Sequence, residues 1–178
     1  MQTETATLAG GCFWCIEGAF SRIEGVVSAV SGYIGGRSER PAYEAVCSGS
    51  TGHAEAVQIR FDPNLIGYRD LLDIFFALHD PTTPNRQGND VGSQYRSAIF
   101  WHNAAQKAAA EETVERLTRE RTFTAPIVTE IAEATCFWPA ESYHQGYYDA
   151  HPGQPYCQVV ISPKLDKLRK KFAARIKT

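Results

Sequence analysis

Cys12 follows Gly10-Gly11 and stands where an apolar segment, Thr5 to Ala9, gives way to Phe13, Ile16, Phe20 and Ile23 at helical spacing. That is a strand-to-helix turn. The glycines let the backbone approach closely, and a helix start aims free N–H groups and a partial positive charge at the sulfur, so the thiol's pKa should fall. The plain alternative is that cysteine is among the most buried residue types and Cys12 merely packs. Phe13 and Trp14, next to a reactive thiol, would wall an apolar pocket. Cys12-Phe13-Trp14-Cys15 is also a C-x-x-C. A thioredoxin-like dithiol suits this strand-turn-helix setting, and Pro126 ahead of a further strand is compatible with it. A structural zinc site needs four ligands, and no second C-x-x-C or H-x3-H follows at the required spacing.

Glu55 is the most informative acidic residue. It shares the parity of Val57, Ile59 and Phe61 in an alternating segment, so the pleat aims its carboxylate at the apolar face. Desolvation there disfavours the charged form and raises the pKa, which a general acid working near neutrality requires. The competing reading is a frayed strand end with Glu55 in solvent. Tyr43 and Tyr95 flank glycine-containing polar segments and can donate hydrogen bonds to an anionic oxygen, or serve as half-buried structure. The five histidines share no spacing, and none is forced next to Cys12. Cys157 follows a Gly/Pro-rich turn, where a mobile tail would carry it to Cys12; Cys47 and Cys136 read as packing cysteines.

These groups must be positioned by one domain's worth of chain. The 178 residues show no repeat and no linker, and 43% hydrophobic with 21% charged residues describes a soluble globular protein. No apolar run approaches the ~20 residues of a membrane span. Eighteen Lys plus Arg against twenty Asp plus Glu leave a net charge of -2, so no field of one sign attracts nucleic acid. Residues 1–5 carry neither a basic nor an apolar leader, and five irregularly spaced cysteines are no secreted disulfide framework; a cytoplasmic protein is expected. Strands are expected at Thr5 to Ala9, Val26 to Tyr33, Ala56 to Asp62, Tyr95 to Trp101 and Ile127 to Ile131. Helices are expected after Cys12, at Tyr68 to His79, Ala104 to Arg121 and Ser142 to Ala150, and along Leu165, Leu168 and Phe172. Asp80 to Gln94 reads as a long loop, a type that is usually functional. The element order gives an α/β or α+β fold with a mixed sheet.

Gly11-Cys12-Phe13-Trp14, Cys47-Ser48-Gly49-x-Thr51-Gly52-His53-Ala54-Glu55-Ala56-Val57 and Gln87-Gly88-Asn89-Asp90-x-Gly92-Ser93-Gln94-Tyr95-Arg96-Ser97 closely resemble A-type peptide methionine sulfoxide reductases. Ala140-Glu141-x-Tyr143-His144-Gln145 and Tyr156-Cys157 extend the resemblance nearly end to end. It implies a two-layer sandwich with a central mixed sheet flanked by helices, in a single domain over residues 1–178. In that domain residues 151–178 form a C-terminal tail with a resolving cysteine. It implies reduction of methionine S-sulfoxide, free or in proteins, as repair of oxidative damage. By motif, Cys12 is the nucleophile, Phe13 and Trp14 hold the sulfoxide's methyl group, and Glu55 donates the proton. Tyr43 and Tyr95 bind the oxygen, and Asp90 supports the site. Cys12 is left as a sulfenic acid that a second thiol resolves, with thioredoxin as external reductant, no cofactor or metal, and a monomer as the working unit.

The sequence departs from the commoner pattern at Cys15, where Gly is frequent, and has no cysteine beyond Cys157. Residues three apart on a helix hold Cβ atoms ~5–6 Å apart against ~3.8 Å in a disulfide, which favours Cys157 over Cys15 as resolving thiol. The rival functions are a general thiol-disulfide oxidoreductase using Cys12 and Cys15, and a redox-sensing binding module.

Overall fold

Strand β1 (Glu4–Gly10) lies inside the molecule because its side chains are apolar or small on both faces: Ala6, Thr7, Leu8 and Ala9 are all fully buried. In the computed structural model, which describes residues 2–177, β1 pairs antiparallel with β3 (Ala54–Phe61) on one side and β6 (Ser97–Trp101) on the other. β2 (Val26–Ile34) and β8 (Trp138–Pro139) continue the sheet beyond β3, and β7 (Glu130–Glu133) continues it beyond β6. The β6–β7 pair is parallel and is joined by the crossover helix α4 (Ala104–Arg119), so the six-stranded sheet is mixed. Met1, part of the leader reading, and Thr178, the end of the expected tail, lie outside the described residues.

Helices α1 (Phe13–Phe20), α3 (Tyr68–Leu78) and α6 (Ser162–Lys171) cover the face that carries Leu8, Val57 and Ile59. The opposite face holds a smaller apolar cluster of Ala9, Ile34, Ala54, Ala56, Ala98 and Phe100, with Phe137 packed on it. Two layers result. The alternation along β3 therefore sends Ala54 and Ala56 to the small cluster and Glu55, with Val57 and Ile59, to the helix side.

Four segments differ from the sequence reading. The Asp80 to Gln94 loop contains a hairpin, β4 (Arg86–Gln87) with β5 (Asp90–Val91), and its base is tied by the Gln87 amide, which donates to the Asp80 carbonyl and accepts from the Asp80 N–H. Tyr95 ends a 3-10 turn, Ser93–Tyr95, ahead of the strand. The strand expected at Ile127 begins at Glu130, because Val128 donates its N–H to Pro81 and is held off the sheet. The expected helix from Ser142 breaks into a 3-10 turn, Ser142–His144, and the short α5 (Tyr147–Ala150), separated by Gly146 at φ 63. Gly146 N–H donates to the buried carboxylate of Glu17 at 2.9 Å.

From sequence, the segment carrying Cys157 is expected to be a mobile tail and a helix is expected through Leu165, Leu168 and Phe172; the helix is present, but the tail is not free. Instead a π-turn, Cys157–Ile161, runs directly into α6, and Cys157, Ile161, Leu165 and Leu168 form a buried stripe against the core. The chain end is tied back to the α1–β2 turn by Lys177 N–H to Arg22 and Glu24 N–H to Arg175.

Candidate active site

Cys12 is the N-cap of α1, with non-helical backbone (φ -58, ψ 126), and Gly11 before it turns the chain at φ +95. A Cβ on Gly11 would meet the Gln87 side chain at 2.6 Å, so the close approach of that chain to the turn needs glycine. Cys12 is 9% exposed, at the floor of an open pocket of about 350 Å³ whose walls include Gln87, Asp90, Tyr156 and Lys164. The Tyr156 hydroxyl donates to Asp90 Oδ2 at 2.7 Å and ties the C-terminal segment to the β4–β5 hairpin across this opening.

The first two amides of α1 are divided between the two chemical groups. Phe13 N–H donates to Glu55 Oε1 at 3.1 Å, and the Trp14 amide lies near enough to the Cys12 sulfur to pull its pKa down. Glu55 is 1% exposed. Burial, with smaller contributions from Asp90 and Cys15, pushes its carboxyl up to about 8 against the pull of the Phe13 amide. It is therefore protonated at neutral pH. Its Oε2 is buried without a hydrogen-bond partner. With Oε1 already accepting, the proton belongs on Oε2, and the site holds a loaded donor with nothing to donate to.

The sulfur chemistry differs from the sequence expectation. Burial pushes the Cys12 thiol up, aided by the Cys15 thiol and the Glu55 carboxylate, and the Trp14 amide does not offset this. Cys15 moves the other way, pulled down by the hydrogen bond from Cys12 and by Lys164 against its burial. The helix start does act on sulfur, but desolvation of Cys12 is the larger effect. The i, i+3 spacing that argued against a Cys12–Cys15 bond applies within a helix, and Cys12 is the non-helical cap, so that spacing does not separate the two thiols here. Cys157 is fully buried, and it lies near enough to Cys15 for a charge on Cys15 to raise its own pKa.

Phe13 packs its ring against Tyr33, Tyr43 and His144, with centroids 5.7, 6.4 and 5.1 Å away. Trp14 stacks on Tyr147 at 3.7 Å and 7° and meets Tyr156 edge-on at 5.9 Å. Tyr43, at the start of α2 (Tyr43–Cys47), and Tyr95 are both close enough to Glu55 for its charge to raise their pKa values, with burial the larger cause in each. Cys47 does not simply pack: it lies near enough to the Tyr43 hydroxyl and the Glu55 carboxyl for both to act on its thiol, and it borders the site. Cys136 is exposed. Among the described residues no cluster of three or more His, Cys, Asp or Glu is arranged to hold a metal ion, and no helix is long and apolar enough to cross a membrane.

Three residues that sequence reasoning left without a role support this site. Glu141 accepts from the Tyr33 hydroxyl at 2.8 Å and from Tyr43 N–H at 3.0 Å, which fixes the start of α2. Burial would push its carboxyl up, but these donors and its own backbone amide hold it below the usual carboxylate range. Tyr33 stands directly across the β2–β3 ladder from Glu55. His144 is buried beneath the aromatic cluster. The sequence signal for all three was parity or motif membership, which does not separate a supporting residue from a core one.

The profile of the family described as peptide methionine sulfoxide reductase matches residues 4–176. Peptide methionine sulfoxide reductase MsrA of Ralstonia nicotianae is 56% identical over 177 residues, covering 97% of this chain and 93% of its own. Among solved structures, Mxr1 from Saccharomyces cerevisiae in reduced form superposes with a TM-score of 0.80 at 36% identity, over 88% of this chain and 90% of that one. Mxr1 in complex with Trx2 superposes with a TM-score of 0.56 at 27% identity, over 82% of this chain and 85% of that one.

Proposed function

Because the chain belongs to the peptide methionine sulfoxide reductase family and is an oxidoreductase that reduces methionine sulfoxide, we propose that Cys12 is its nucleophile and Glu55 its proton donor. The observation that carries this reading is the Glu55 carboxyl, which is protonated at neutral pH and has one oxygen bound by Phe13 N–H and the other unpartnered beside Cys12. A sulfoxide sulfur is a poor electrophile until its oxygen is protonated or strongly hydrogen-bonded. Glu55 Oε2–H supplies that proton, and the Tyr43 and Tyr95 hydroxyls, protonated at any physiological pH, add hydrogen bonds. Phe13 and Trp14 hold the methyl group, and Asp90, bonded to Tyr156, keeps the pocket mouth in shape.

The Cys12 sulfur bonds to the sulfoxide sulfur as Glu55 passes its proton to the oxygen. The S–O bond then breaks, the oxygen passes to Cys12, and methionine leaves as the thioether. The proton that began on the Cys12 thiol replaces the one Glu55 gave up. Cys12 is left as a sulfenic acid, and the thiol that condenses with it, expelling water, is in this reading Cys15, three residues on and close enough for the two thiols to shift each other's pKa. Cys157, close enough to Cys15 to feel its charge, is the thiol that a second exchange would reach. The disulfide needs an external dithiol, and the Mxr1 structure with Trx2 supports a thioredoxin-type protein in that role; these steps call on no cofactor or metal. The working unit in this reading is a single catalytic domain acting as a monomer in a reducing, cytoplasmic compartment.

Single-turnover chemistry without reductant tests the assignment. One equivalent of methionine S-sulfoxide should yield one methionine per chain and remove two of the five thiols, the R epimer neither. Peptide mapping should then give a Cys12–Cys15 linkage. Methionine formation by Cys12→Ser, or a first linkage of Cys12 to Cys157, would overturn the corresponding role.

A further inference from the structure

His144 has no part in the chemistry above, yet it is 2% exposed among the rings of the methyl pocket. Its ring lies 5.1 Å from Phe13, 4.4 Å from Tyr43, 4.3 Å from Tyr143 and 5.8 Å from Trp14, centroid to centroid. Trp14 Nε1 donates to His144 Nδ1 at 3.1 Å. An indole nitrogen can only donate, so Nδ1 must carry a lone pair and the ring proton sits on Nε2, which is buried without a partner. Burial holds the ring neutral below the usual histidine range, opposed by the Glu141 and Glu44 carboxylates; the Tyr43 and Tyr143 rings also pack against it.

The contacts on Trp14 restrain different motions. Stacking on Tyr147 fixes the plane of the indole but leaves it free to slide and turn within that plane. A hydrogen bond at Nε1 removes the in-plane freedom. We propose that His144 is a positioning residue for the known reaction: as a neutral ring, through its Nδ1 lone pair, it sets where the Trp14 edge meets the substrate's S-methyl group, and so sets the size of group the site accepts. This rests on the reading of Trp14 as a wall of the methyl pocket.

The experiment compares His144→Leu, which has no acceptor, with His144→Asn, whose amide oxygen can take the place of Nδ1. Steady-state rates are measured with methionine sulfoxide and ethionine sulfoxide. The leucine variant should raise KM for methionine sulfoxide about five- to tenfold with kcat within about twofold, and narrow the preference for methyl over ethyl; asparagine should restore most of both. His144→Gln, of similar bulk but with its oxygen beyond the Nδ1 position, reads the same contact if the leucine variant does not fold. It should behave as leucine does. Equal parameters for the asparagine variant and the acceptor-lacking or displaced variant, or a loss confined to kcat, would overturn the proposal. Trp14→Phe separates the two levels: if it leaves KM and the methyl preference unchanged, the pocket reading of Trp14 fails. If it changes both while the histidine variants do not, only the role of His144 fails.

Discussion

Replacing Glu55 by Gln should stabilise this protein at neutral pH while disabling it. The folded-state pKa of about 8 lies above the ordinary 4.5. Above pH 4.5 the unfolded chain releases a proton that the folded chain keeps, so this group's contribution to stability is complete at lower pH and is lost as pH rises towards 8. Between pH 5 and pH 7 the loss integrates to about 2.5 kcal/mol, at about 1.36 kcal/mol per pH unit where only the unfolded chain ionises. Gln has no proton to lose, and it reproduces the protonated acid: its carbonyl accepts from Phe13 N–H, and its NH2 takes the place of the Oε2 hydroxyl. The Tm of Glu55→Gln minus that of the wild type should therefore rise by about 5–10 °C from pH 5 to pH 7, taking about 2–4 °C per kcal/mol for a chain of this length. Scanning calorimetry across that range measures the difference directly. In the same preparation kcat should fall about 10²- to 10⁴-fold with KM little changed, because an amide cannot transfer the proton. Parallel Tm curves for the two proteins would show that Glu55 is not held protonated, and the acid role would go with it.

The alkaline limb of kcat/KM should fall about tenfold per pH unit above pH 8 in the wild type, where the acid form of Glu55 disappears, and a rate rising through pH 9 would contradict that ionisation. Cys15→Ser should still release one methionine per chain but leave Cys12 as a sulfenic acid that dimedone traps; rapid multiple turnover with a thioredoxin would return the resolving role to Cys157. Glu141→Ala frees Tyr43 N–H and the Tyr33 hydroxyl, so kcat/KM should drop by at least about tenfold, with Glu141→Gln milder because its amide keeps one acceptor. Glu17→Ala strands the Ser31 hydroxyl in the interior and leaves the half-buried Gly146 N–H without its acceptor, and should cost about 2–4 kcal/mol, visible in urea unfolding, where an unchanged midpoint would refute it.

Glu55 was legible from sequence because a strand has only two faces: parity with Val57 and Ile59 decides burial, and burial decides the pKa. The sheet, the α/β class and the strand-to-helix turn at Cys12 were legible for the same reason, since each is a period or a break in a period. What escaped was set by contacts distant in sequence. Glu141 reaches back 98 residues to Tyr43, and Trp14 meets His144 across 130, and nothing local to either residue predicts its partner. The helix through Leu165 and Leu168 was legible from its period; what escaped is that Cys157 and Ile161, read from their Gly/Pro-rich approach as part of a mobile tail, extend the same buried stripe, and burying that stripe outweighs the flexible turn before it.

The sulfur pair shows how far a one-residue boundary reaches. If Cys12 were the first residue inside α1, its side chain and that of Cys15 would stand a helical turn apart, and a bond between them would strain the helix. As the N-cap, Cys12 has non-helical backbone, its carbonyl already accepts the Cys15 N–H at 3.1 Å, and its thiol and that of Cys15 lie near enough to shift each other's pKa. The same boundary leaves the Phe13 and Trp14 amides unpaired within the helix, and these two orphan donors serve Glu55 and the Cys12 sulfur. Acid, nucleophile and neighbouring thiol are thus placed by a single feature, the position at which α1 starts. A substitution that moved that start by one residue, such as Gly11→Ala, which collides with Gln87, should disturb all three together rather than any one alone.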